Sequence, residues 1–350
     1  MREHMPVRAI AVGCGRMGTL GIRLMYNKGI QIVGAVDSNP AIVGKDVGEH
    51  AQLGLDLGVK ISDDLEQVLT DCAPDIAVCA LFSFVEKNES VFNTIIRHGV
   101  NVLTTCDEMH FAWNTSSAAC NRIHRLAKEY GVTVTASGLQ EVFWMNLPCL
   151  MASGMNDLKR IAGVTTFNTD EYGPSLADAY NIGLTVEEFQ QKFRQKETTE
   201  EEHPDGFLMR ATNDAIISRL GLRVKDYKVE YLPYTADRDV FSIARNRIIP
   251  AGDVIGTEER VITTTIEGIE VVSSDIGYVF YQGEGDICKW NLYGTPDVEV
   301  NVPNLNSYIF TMGDLVNRIP DVINAEPGYV TNSTLPVGRY YSSPMNHFID

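Results

Sequence analysis

Two apolar patterns alternate along the chain, and their character changes near the middle. Residues 7–12 form a short continuous apolar run ending in glycines. Leu20, Ile22, Leu24 and Met25 follow on a helical stripe, and residues 30–36 are again β-like, closing on Asp37-Ser38-Asn39-Pro40. Residues 75–82 read Asp-Ile-Ala-Val-Cys-Ala-Leu-Phe, a run with no polar face. The pattern then predicts a helix over 91–97 broken by Gly99, a strand over 100–105, a helix over 116–130 stopped by Gly131, and a strand over 132–137. Strands apolar on both faces and alternating with helices predict a parallel sheet covered by helices.

After about residue 150 the period changes. Residues 158–167 read as a strand. Thr185-Val-Glu-Glu188 has capping-box spacing and opens a helix through about 192. Residues 195–205 are polar and acidic, an expected exposed loop, and 211–220 is helical up to Gly221. From 224 to 302 the β-type runs lengthen and alternate, over 261–267, 269–274, 278–281, 289–293 and 298–302, with Gly, Pro and Asp between them. Half-polar strands of this kind predict an antiparallel or mixed sheet. A last helical region covers 307–324, interrupted at Pro320. The expected fold class is α/β, a Rossmann-type doubly wound parallel sheet followed by an α+β domain with an open mixed or antiparallel sheet. The expected domains are 1–150, 151–303 and a closing segment 304–350.

Composition narrows the function. With 29 Lys and Arg against 46 Asp and Glu, the net charge is −17, the opposite of what a nucleic acid partner needs. No apolar run reaches the roughly 18 residues of a membrane span, and the first five residues carry no signal-peptide core. The seven cysteines, at 14, 72, 79, 106, 120, 149 and 288, show no C-x-x-C pair. Reduced thiols in a cytoplasmic protein are expected. The scattered histidines predict no metal site, and the sequons at Asn88, Asn114 and Asn332 read as chance.

The strongest local signal is Gly13-Cys14-Gly15-Arg16-Met17-Gly18. Its glycine pattern alone is weak. Here it follows a strand, opens a helix, and has Asp37 19 residues after Gly18 at the end of the next strand. That context is the dinucleotide fingerprint. Gly13 permits the turn, Gly15 admits the pyrophosphate, and Gly18 lets helix pack on strand, while the helix N-terminus, with Arg16 and Met17, faces phosphate. Asp37 is placed to accept the ribose hydroxyls, which favours NAD over NADP. Ser38, Asn39 and Arg16 leave room for a 2′-phosphate, so dual use is compatible with the sequence.

Ligands of open α/β sheets bind beyond the carboxyl ends of the strands. Leu81, Phe82 and Ser83 are therefore expected along the cofactor, as is Thr105. Among the carboxylates there, Glu108 is the expected acid–base group and Asp107 the lesser candidate. A carboxylate holds an ammonium and takes its proton when the amine must be neutral. Gln140, Phe143, Trp144 and Tyr172 are the expected pocket residues. His110 is a minor candidate for a proton shuttle, and Cys106 is expected to pack.

These segments carry a resemblance. The glycine loop resembles that of dihydrodipicolinate reductases. Together with Thr104-Thr105-Cys106-Asp107-Glu108, Gly138-Leu139-Gln140-Glu141-Val142-Phe143-Trp144, and the tail from Asn317-Arg-Ile-Pro320 to Tyr329-Val330-Thr331, it resembles the 2,4-diaminopentanoate dehydrogenases and native amine dehydrogenases. The resemblance implies NAD(P)-dependent oxidative deamination of a small amine, or reductive amination of a ketone or aldehyde with ammonia. It implies that Glu108 matches the glutamate holding ammonia or the amine. It also implies a homodimer paired through the second-domain sheets and a tail returning to the nucleotide domain. The segment Gln140-Glu-Val-Phe-Trp144 resembles the amine dehydrogenase branch, which favours an apolar substrate over a diamino acid. Arg210 and Arg219 are the unplaced candidates for a substrate carboxylate. Rival readings are a 2,4-diaminopentanoate dehydrogenase, a sugar or polyol oxidoreductase of the glucose–fructose type, a dihydrodipicolinate reductase, and a nucleotide-sensing regulator without catalysis. The sugar enzymes carry Glu-Lys-Pro where this chain has Cys106-Asp107-Glu108, so their lysine is missing.

Overall fold

The structure, a computed structural model, describes residues 5–196 and 206–349. The chain divides into two compact units, Met1–Val142 with Tyr308–Asp350, and Phe143–Ser307. The division at Val142 assigns Phe143 and Trp144 to the second unit, where the sequence boundary near 150 had them in the first.

The first unit alternates strand and helix as β1 (Arg8–Val12), α1 (Arg16–Asn27), β2 (Gln31–Val36), α2 (Val47–His50), β3 (Ile61–Ser62), α3 (Leu65–Cys72), β4 (Ile76–Cys79), α4 (Val85–Arg97), β5 (Asn101–Thr104), α5 (Ser117–Tyr130) and β6 (Thr133–Ala136). The second unit holds α6 (Leu147–Ala152), β7 (Asp157–Asn168), α7 (Pro174–Ala179), α8 (Val186–Lys196), α9 (Phe207–Arg219), β8 (Val224–Thr235), β9 (Val240–Ser242), β10 (Arg247–Ile249), β11 (Val254–Thr265), β12 (Glu270–Tyr278), β13 (Asp286–Thr295) and β14 (Val298–Leu305). The chain then re-enters the first unit through α10 (Ser307–Ile323) and β15 (Gly328–Tyr329).

The first sheet runs β15-β6-β5-β4-β1-β2-β3, all parallel. This is the doubly wound order, and its reversal point lies between β1 and β4. The strands are apolar throughout because both faces are buried. Ala9 and Ala11 join α1 and α10 in one core cluster, whereas Ile10 and Val12 join α4 and α5 in the other.

The second sheet runs β14-β13-β7-β12-β11-β8, with only β7–β12 parallel. Helices α8 and α9 pack on one face. Phe193 stacks on Tyr231, and Asn213 Nδ2 donates to Thr263 Oγ1 at 2.9 Å. The opposite face carries Ala162, Val164, Ile262, Val272 and Ile276 by strand alternation.

Three expectations need correction. Residues 278–281 are not a separate strand. Chain β12 ends at Tyr278, after which Glu284 accepts from Tyr281 N at 2.8 Å and turns the chain away. Pro320 does not interrupt α10, which continues to Ile323. A helical proline removes one hydrogen bond, at a cost of about 3 kcal/mol, and the buried stripe of Met312, Leu315, Val316, Ile319 and Val322 outweighs it. Helix α4 starts at Val85 rather than near 91, for a tertiary reason given below. In α8 the capping box forms in both directions, Thr185 N to Glu188 Oε2 at 2.8 Å and Glu188 N to Thr185 Oγ1 at 3.2 Å. The helix reaches Lys196, and the rest of the polar stretch 195–205 lies outside the described residues. No helix among the described residues is long and apolar enough to cross a membrane.

Candidate active site

The three glycines of the loop differ in what surrounds them. Gly13 has φ +87°, and a Cβ there would lie 2.3 Å from Ala80 O. At Gly18 a Cβ would lie 1.8 Å from Gly13 O. Beside Gly15 nothing stands within 4 Å, the open approach that a pyrophosphate needs. Gly15 is also the N-cap of α1 and no side chain caps that helix, so its first-turn N–H groups suit an anion. The residues present therefore fit a dinucleotide.

Asp37 is folded back on the loop. Its Oδ2 accepts from Cys14 N at 2.6 Å and its Oδ1 from Asn39 N at 2.8 Å. Arg16 stacks 4.5 Å over the Tyr308 ring, and Tyr308 donates to the Arg16 carbonyl at 2.8 Å. Ser38 is exposed, Met17 packs against the core, and Leu81 lies against Gly13. Phe82 is 55% exposed, and Thr105 N donates to Cys79 O at 3.0 Å. Fully buried Asn88 pins the loop after β4, donating to the carbonyls of Phe82 at 2.7 Å and Phe84 at 2.8 Å.

The two neighbouring carboxylates have different surroundings. Glu108 is 0% exposed. Its Oε2 accepts from Val85 N at 2.8 Å and its Oε1 from Ser116 Oγ at 2.7 Å. It is thus the N-terminal cap of α4, whose own N-cap residue Phe84 has no side-chain acceptor. A carboxylate suits the positive end of a helix. This is why α4 begins six residues before its apolar period. Asp107 is half-buried at the end of β5. It accepts from Ser83 Oγ at 2.5 Å and from Gln140 Nε2 at 2.7 Å. Burial pushes its carboxyl up to about 6, against the opposing pull of the Ser83 hydroxyl. Asp107, Ser83 and Gln140 come from three different strand ends of the first unit.

Nearby, His110 is buried with Nε2 unpartnered, and burial holds its ring down at about 4. Cys106 is buried, donates to Ser83 O at 3.2 Å, and its thiol is pushed well up by burial. All seven cysteines are free thiols. Among the described residues no His, Cys, Asp and Glu group is arranged for a metal.

The remaining expected pocket residues belong to the second unit. Trp144 is 6% exposed and lies among Gly163, Thr165, Met209 and Trp290, inside the core between sheet and α9. It packs the interior of the unit. Phe143 is half-buried, and its carbonyl accepts from Trp290 Nε1 at 2.7 Å. Tyr172 is 46% exposed on the turn after β7, edge-on to Phe167 at 5.8 Å. Of the two candidate arginines, Arg210 stacks 4.4 Å over Tyr227, and Arg219 closes the last turn of α9.

A family model described as dihydrodipicolinate reductase, N-terminus, matches residues 7–134, and one described as 2,4-diaminopentanoate dehydrogenase C-terminal domain matches 145–350. The chain belongs to the 2,4-diaminopentanoate dehydrogenase and amine dehydrogenase family. The 2,4-diaminopentanoate dehydrogenase of Acetoanaerobium sticklandii is 26% identical over 95% of this chain and 94% of its own. A solved structure of amine dehydrogenase from Mycobacterium smegmatis superposes with TM-score 0.87 at 35% identity, covering 98% of this chain and all of that one. An amine dehydrogenase of Streptomyces virginiae is 32% identical over 51% of each chain.

Proposed function

We propose that this family member is an NAD(P)-dependent amine dehydrogenase. It interconverts a small amine and the matching ketone or aldehyde plus ammonia. The observation that carries the reading is Asp107, a half-buried carboxylate held by Ser83 and Gln140 at the strand ends of the dinucleotide-binding unit. The relatives named for amine oxidation support the substrate class.

The bound nicotinamide supplies hydride transfer. The chain's own residues do the rest. Gly15 and the α1 N-terminus hold the pyrophosphate, and Asp37 takes the ribose hydroxyls, which favours NAD. Asp107 Oδ holds the ammonium by charge and hydrogen bond. Its raised value leaves it ionised above about pH 6, so it takes the proton that must leave nitrogen. In the amination direction the same oxygen frees ammonia as the nucleophile. Gln140 and Ser83 fix the carboxylate so that little reorganisation is needed. Phe143 and Tyr172 remain the pocket residues of the proposal.

The proposal includes a homodimer paired through the face of the six-stranded sheet opposite α8 and α9, and a cytoplasmic location consistent with free thiols. The test is consumption of reduced cofactor with ammonium and a panel of ketones, aldehydes and keto acids, run with both cofactors. Turnover of simple ketones or aldehydes supports the reading. Turnover confined to keto acids would move it to the diamino acid branch, and silence across the panel would remove it.

A further inference from the structure

Gln140 grips Asp107, but its own position is set elsewhere. The next residue, Glu141, has a side chain 1% exposed and is paired with Arg318, also 1% exposed. Arg318 is among the largest fully buried side chains among the described residues. Its guanidinium spans two carboxylates. Nε donates to Glu141 Oε2 at 3.1 Å, Nη2 donates to Glu141 Oε1, and Nη1 donates to Asp321 Oδ2 at 2.8 Å. Asp321 accepts in turn from the Tyr341 hydroxyl. One turn earlier on α10, Asp314 accepts from Ser137 Oγ at 2.8 Å. The backbone closes the same turn, with Glu141 N donating to Gly138 O at 3.0 Å. The segment after β6 is therefore tied to α10 at both ends, across 177 residues of chain.

A buried ion pair is a poor source of stability, because desolvation cancels much of the attraction and an apolar pair of similar volume serves as well. What a planar guanidinium fork supplies is geometry: two parallel bonds define the position and direction of the carboxylate they hold. One residue away, that direction fixes where Gln140 presents its amide. We propose that Glu141 and Arg318 are positioning residues for the reaction, holding Gln140 so that it orients the Asp107 carboxylate toward nitrogen. This rests on Asp107 being the acid–base group. The pair is expected to serve the amine half of the site and to leave cofactor affinity in place.

The experiment uses E141Q, the doubly neutral E141M/R318M, R318K and, separately, D107N. The probe is the ketone that the wild-type enzyme takes best from the panel, with ammonium. Reduced-cofactor affinity is read by its fluorescence, and hydrogen exchange is read over residues 137–142. The expected result is cofactor affinity within about twofold, faster exchange in 137–142, and kcat down roughly tenfold or more. R318K, which keeps the charge but not the fork, is expected to fall between wild type and the double variant. Wild-type kcat in both E141Q and E141M/R318M overturns the inference. So does loss of cofactor affinity in step with kcat, which would mark general damage. If D107N itself turns over normally, the reading of Asp107 fails. If D107N is inactive while the Glu141 variants are normal, only the positioning role fails.

Discussion

Asp107→Asn separates a catalytic carboxylate from a structural one because activity and stability should move in opposite directions. Burial pushes the carboxyl from 3.8 up to about 6, and each tenfold in proton affinity corresponds to about 1.4 kcal/mol. The ceiling is about 3 kcal/mol, and partial solvent access lowers it to about 1–2 kcal/mol. The sign follows from the folded value lying above the unfolded one. Folding favours the protonated form, so this contribution is fully present below about pH 4 and is lost as pH rises through 6. At pH 8 the wild type carries the full penalty. Asparagine removes it, since its oxygen still accepts from Gln140 and its amide can donate to the Ser83 oxygen. The variant should melt a few degrees higher at pH 8, with the difference vanishing toward pH 4. Its kcat/KM for the amine should fall by about 10²–10⁴, with cofactor affinity unchanged. In the wild type, kcat/KM should drop as pH falls through about 6, where Asp107 gains its proton. Thermal scans at three pH values and steady-state turnover decide it. Turnover within about threefold of wild type, or a lower melting point at pH 8, would refute the reasoning.

Other substitutions follow from the same geometry. Glu108→Ala should cost about 1–3 kcal/mol by orphaning Val85 N and the Ser116 hydroxyl, while Glu108→Gln should keep turnover within a few fold; a stable, inactive Glu108→Gln would return the role to Glu108. Gly15→Ala should fold normally yet lose most cofactor affinity, whereas Gly18→Ala should destabilise the fold by about 1–3 kcal/mol through its contact with Gly13 O; equal melting points for the two would contradict these surroundings. Asp37→Ser should shift the ratio of NAD to NADP affinity toward NADP by roughly tenfold, read by fluorescence titration, and an unchanged ratio would count against a ribose contact. Trp144→Ala should cost about 3–5 kcal/mol as a core truncation, with substrate preference among the folded molecules unaltered.

Much of the nucleotide half was legible before any coordinates. Gly13, Gly15, Gly18 and Asp37 are spaced by local backbone geometry, and local geometry is what periodicity and turn residues encode. The apolar runs of β1, β4 and β5 declared both their faces buried, and the alternating runs of β11 and β13 declared one. What was not legible shares a different cause. Asp107 and Glu108 are adjacent acidic residues after one strand, and nothing local says which side chain turns inward. The choice is made by Val85 N, an uncapped helix start 23 residues upstream that takes Glu108. Trp144 carries no local mark of the burial that Gly163 and Trp290 give it. Arg318 stands in a segment that carries the family resemblance, but its pairing with Glu141 could not be read from the sequence because that partner lies 177 residues away.

The sequence by itself determined the doubly wound order, the dinucleotide loop and the family, since these rest on short-range spacing and apolar period. Which of two neighbouring carboxylates caps a helix and which lies half-buried between Ser83 and Gln140 was decided only in three dimensions. Burial forces every polar group to find a partner, and those partners come from distant parts of the chain.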